Sequence, residues 1–151
     1  MDDEIPPLLP PDQMPPIHSP QDMHRHWRAL MGELGFSQRL LWFGFVTADG
    51  WMAPQLHQVD DLPPEPIAPL ADNLIAICRR VLDEVFDPAG SVAFLLSRPG
   101  SAHLTESDRA WARALATAAT QGEVRLQPIH LATDQAVRVF AADDLIMPRS
   151  A

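Results

Sequence analysis

The side chains able to do chemistry are few. The 151 residues hold six histidines (18, 24, 26, 57, 103 and 130), a single cysteine, Cys78, and no lysine; all 11 basic residues are arginine. Without lysine there is no Schiff-base amine and no phosphate-cradling P-loop cation, which argues against pyridoxal-phosphate and Walker-type nucleotide chemistry. Asp22-Met-His24-Arg-His26 spells D-x-H-x-H, a metal hook on an extended chain. On a helix, residues two apart do not face each other, so the pair reads as surface histidines. His57 and His130 fall on expected strands, where a hydrogen-bonded structural role is the ordinary one. Cys78 lies on an apolar helix face with no base nominated for it and reads as a small hydrophobe.

The densest stretch of polar chemistry is Ser97-Arg-Pro-Gly-Ser-Ala-His-Leu-Thr-Glu-Ser-Asp108. Thr105 and Asp108 have the spacing of a helix cap, hydroxyl and carboxylate each satisfying an unpaired N–H. Helix N-termini attract anions, so Arg98 beside one has two readings. It holds a carboxylate or phosphate ligand, with His103 near it, or it pairs with a local acid, Glu106 or Asp108. His103 and Asp108 together would make two metal ligands. Ser97 lacks the G-x-S-x-G elbow of a hydrolase nucleophile.

The elements that position this stretch follow from periodicity. Residues 1–19 form a Pro-rich arm, with seven prolines by residue 20; it is either a loose tail or a segment laid across its own domain or a partner. A helix is expected over 19–34, capped by Ser19 and stopped by Gly35, with Met23, Trp27, Leu30, Met31 and Leu34 on one face. Leu41–Val46 is an apolar strand, Asp49-Gly50 a hairpin turn, and 51–59 its partner strand, with Pro54 at an edge or bulge. A proline loop follows, then a helix over 70–86 with a wide apolar stripe, Leu70, Leu74, Ile77, Val81 and Val85 on one face flanked by Ile75, Cys78 and Leu82, as in a helix packed deeply on a sheet. Residues 91–96 form a central strand, 105–121 a third helix, and 124–131 and 136–140 two final strands. Trp42 and Trp111 fit core faces, and Trp51, near a turn, reads as exposed. One α/β domain over 20–151 is the layered solution, a mixed central sheet with helices on its faces in three layers.

From Leu41 onward this order resembles the JAB/MPN metalloprotease-like family, its RadC-type bacterial branch included. In active members an apolar strand leads into H-x-H-P, then a short loop, then S-x-x-D opening a helix; the histidines and the aspartate hold zinc and the serine assists the activated water. Here Pro99 matches the motif proline, and Thr105 and Asp108 match the serine and the aspartate, with the loop one residue shorter. The two histidine positions fall on Leu96 and Arg98, and the upstream glutamate base is not placed in this sequence. Leucine has no ligand atom, and arginine stays charged and repels a dication. The resemblance therefore implies a metal-free, cofactor-free relative without hydrolytic function.

A formal net charge of −9 speaks against binding nucleic-acid phosphates, and no apolar run approaches the ~20 residues of a membrane span. A cytoplasmic setting follows as the expectation. The expected function is that of a non-catalytic binding or scaffold protein whose partner is another protein, a second copy of this chain included. The alternatives are a divergent hydrolase built on Ser97, Arg98, Thr105 and Asp108, and a sensor of small anions or nucleotides that binds at Arg98 and His103.

Overall fold

A computed structural model describes residues 5–10 and 13–145. Its elements run α1 (Pro20–Met31), β1 (Leu40–Val46), β2 (His57–Val59), α2 (Ala68–Glu84), β3 (Ser91–Ser97), α3 (Glu106–Gln121), β4 (His130–Ala132) and β5 (Val137–Val139). The strands form one mixed sheet in the order β2-β1-β3-β4-β5. Only β3 and β4 pair in parallel, and α3 makes the long crossover that parallel neighbours require.

β1 and β3 form the centre, paired antiparallel over seven residues each, from Leu40 opposite Ser97 to Val46 opposite Ser91. All seven residues of β3 are buried, which explains its nearly unbroken apolar sequence. Alternate residues face opposite ways. Leu41, Phe43, Phe45, Val92, Phe94 and Leu96 pack with α2 and α3. Val46, Ala93 and Leu95 pack with Met23 and Trp27 of α1, joined by Ala132 and Val137. One helix covers one face and two cover the other.

Local signals set the helix ends, with several departures from expectation. Ser19 caps α1 by accepting the Asp22 amide at 3.1 Å, but the helix stops at Met31 rather than Leu34. Gly32, at φ 61°, takes the stop ahead of Gly35, because it is the first residue able to adopt that conformation without a Cβ penalty. The buried face of α2 consists of Ala71, Leu74, Ile75, Cys78 and Leu82, while Ile77 and Val85 are exposed. Leu74 and the flanking Ile75, Cys78 and Leu82 are thus buried as expected, and the outer edge of the stripe, Ile77 and Val85, is turned to solvent. The expected strand over 51–59 is a bridge at Met52, a gap at Pro54 and the short β2, since proline cannot donate to a ladder. Pro128 divides 124–131 in the same way, leaving a bridge at Leu126 and the short β4.

The arm from Gln13 onward lies across its own domain. Met14 and Ile17 are buried, the Ile17 amide donates to the Gly50 carbonyl at 2.7 Å, and His26 bonds the Pro15 carbonyl at 2.7 Å. His26 is therefore buried and is not the surface histidine expected from its helix position. Gly50 closes the hairpin at φ 98°, and a Cβ there would stand 2.7 Å from the Ile17 carbonyl oxygen.

Candidate functional site

The junction between β3 and α3 is built around one arginine. β3 ends in the core, so the chain carries Arg98 into a buried position before it turns outward at Pro99. The guanidinium has five N–H donors in a planar fork, and all five are engaged. Nε donates to Asp108 Oδ1 at 2.9 Å and one terminal nitrogen to Asp108 Oδ2 at 2.7 Å. That same nitrogen reaches the His103 carbonyl at 2.9 Å. The other donates to the Pro99 and Ser101 carbonyls at 3.0 and 3.1 Å. Residues 99–103 are wrapped around their own arginine.

Asp108 is engaged through both oxygens. Besides Arg98 it accepts the Thr105 amide at 2.9 Å, while Thr105 Oγ1 accepts the Asp108 amide at 3.1 Å. These two bonds form a capping box at the start of α3. Burial pushes the Asp108 carboxyl up, but the bonds from Arg98 and Thr105 outweigh it, and the net shift is downward. A paired, fully hydrogen-bonded buried ion pair tolerates its desolvation; one left with a single member does not.

A second layer holds the loop from the β4–β5 turn. Asp134 accepts the Gly100 amide at 2.8 Å and the Phe36 amide at 3.0 Å. Those two backbone bonds, Gly100 first, lower the Asp134 carboxyl. Gln135 accepts the Ala102 amide at 2.8 Å, and Arg138 donates to the Ala102 carbonyl at 3.0 Å. Nothing in the sequence around Asp134 marks this role, because its partners lie in segments far along the chain.

The candidate residues are thus only partly brought together. Arg98, Thr105 and Asp108 form one network. His103 joins it through its backbone carbonyl, and its ring side is exposed. Ser97 lies on the opposite face of the sheet, fully buried, where its hydroxyl accepts the Trp42 indole N–H at 2.9 Å. Leu96 is packed in the core beneath α2 and α3. Of the two readings of Arg98, the local acid pair is the one present, with Asp108 rather than Glu106 as partner. Glu106 instead binds Arg113. A ligand at Arg98 would have to displace existing bonds.

A zinc ion does not fit this donor set. Leu96 offers no atom, Arg98 is a cation at the centre, and both Asp108 oxygens are spent on it. Among the described residues no three His, Cys, Asp or Glu side chains converge. Cys78 is buried in the core, and burial pushes its thiol up to about 12, so it is no nucleophile at neutral pH. Among the described residues no helix is long and apolar enough to cross a membrane.

Comparison with known proteins gives no match to any family model, curated protein or solved structure.

Proposed function

We propose that this chain is a non-catalytic binding or scaffold protein of JAB/MPN-like architecture, a pseudo-enzyme in which an internal ion pair stands at the position of the metal. One observation carries this reading: every donor of Arg98 and both oxygens of Asp108 are consumed within the chain. A hydrolase needs a group free to act on substrate, and an anion sensor needs a donor free to bind. The junction offers neither, so it serves as a latch between β3 and α3.

The partner in this reading is another protein, in a cytoplasmic setting. Trp51 stands at the hairpin tip with 45% of its surface exposed, and tryptophan is among the residues that most often anchor protein interfaces. A second copy of the chain is one such partner, and the net negative charge disfavours nucleic acid.

The test is elemental mass spectrometry on the full chain purified without chelator and then supplied with zinc, beside Asp108→Ala. The expected result is no zinc that depends on Asp108. One zinc per chain in the wild type, lost in Asp108→Ala, would overturn the proposal.

A further inference from the structure

The opposite face of the sheet holds a second pair of groups that the junction does not use. His24 of α1 and His130 of β4 lie with ring centres 5.7 Å apart and planes tilted by 39°. Each ring is oriented by a backbone carbonyl. His24 Nε2 lies 2.9 Å from the Val137 oxygen, and His130 Nδ1 lies 3.0 Å from the Pro128 oxygen. A carbonyl only accepts, so in the neutral rings those nitrogens carry the hydrogen. The lone pairs are then on Nδ1 of His24 and Nε2 of His130. His130 is fully buried, and its Nε2 has no hydrogen-bond partner. A buried acceptor without a partner costs about 1–3 kcal/mol, and it calls for an occupant.

We propose that His24 and His130 form a two-imidazole site for copper(I) between α1 and the sheet. A ring N–H held by a backbone carbonyl, with the other nitrogen left as a donor, is the arrangement that orients metal-binding histidines. An ion held by one nitrogen of each ring, with bonds near the ~2.0–2.1 Å of zinc–imidazole, allows ring centres at most about 6.4 Å apart, and these stand 5.7 Å apart. No third His, Cys, Asp or Glu joins the pair among the described residues. Two imidazole nitrogens, one of them on the fully buried His130 beside its ladder partner Leu95, suit a soft monovalent ion that accepts two ligands. Zinc, which takes four, and magnesium or calcium, which take oxygen, are poorly served.

The experiment is an anaerobic titration of the full chain with copper(I) against a chromophoric copper(I) chelator. It compares wild type, His24→Gln, His130→Gln and His103→Gln. One copper per chain is expected in the wild type and in His103→Gln. Both site variants should lose more than tenfold in affinity, given that an outer-shell partner alone is worth ~10–100-fold. X-ray absorption of the loaded protein should show nitrogen scatterers and no sulfur. Failure of the wild type to compete, affinity retained in His24→Gln, or sulfur ligation would each overturn the proposal. If His130→Gln does not fold by circular dichroism, the half-buried His24→Gln decides.

Discussion

At the scale of residues, the Arg98–Asp108 pair sets the energetics of the junction. Arg98→Ala leaves a buried carboxylate without its counter-charge, and such breaks cost about 3–5 kcal/mol. Urea unfolding should show a loss of that size. The double variant Arg98→Met/Asp108→Leu removes both charges and should recover the part due to the unpaired charge, but not the bonds to the Pro99, Ser101 and His103 carbonyls and from the Thr105 amide. The pair also fixes a pH dependence. The Asp108 carboxyl titrates lower when folded than when unfolded, so its contribution is complete above the unfolded value of about 3.9. It is lost as pH falls below that value. The stability gap between wild type and the double variant should therefore narrow from pH 5 to pH 2; a constant gap would show that the ion pair contributes nothing. This pair was legible in the sequence because its members lie ten residues apart across a single turn, and the cap spacing already placed Asp108 at the helix start. His24 and His130 were not legible as a pair. Each looked ordinary in its own element, and only sheet order, with β4 beside β5 under α1, brings them together.

At the scale of elements, Gly50 joins two features, the hairpin turn and the seat of the arm. Gly50→Ala puts a methyl against the Ile17 carbonyl at a φ that L-residues rarely adopt. Strain of this kind costs about 1–3 kcal/mol. Urea unfolding should register that loss, and limited proteolysis should cut faster between Gln13 and Ser19 than in the wild type. Unchanged cleavage would mean that the arm is held by Met14, Ile17 and His26 alone. The elements were read best where backbone chemistry decides them. Ser19 and Thr105 cap their helices because their side chains supply acceptors at the required offset. The reading failed where tertiary packing chooses among equals. The wide apolar stripe on α2 left its centre open, and the sheet took the side through Leu74, Ile75, Cys78 and Leu82. Prolines 54 and 128 stood in view, but each cut its strand shorter than the apolar pattern alone suggests.

At the scale of the whole molecule, one ladder joins distant parts of the chain. β1 and β3 pair along their full length, yet the hairpin, the proline loop and all of α2 lie between them. Closing that loop precedes any reward from the sheet, and such long-range pairing slows folding. A substitution in the ladder, Phe94→Leu, should slow refolding, whereas Trp27→Phe, on the sheet-facing side of α1, should mainly speed unfolding, as expected of a helix that docks on a sheet already formed. Stopped-flow chevrons for the two variants test this; equal effects on the folding limb would contradict it. The same separation has a meaning for the chain as it is made. At ~5–20 residues per second, the 44 residues between β1 and β3 take about 2–9 s to emerge from the ribosome. During that interval Leu-Leu-Trp-Phe-Gly-Phe-Val is out with no strand of β3 to pair with. It is an uncharged, proline-free segment of the composition that aggregates, so the nascent chain depends on shelter, or on the early pairing of β2 along one edge, until its true neighbour arrives.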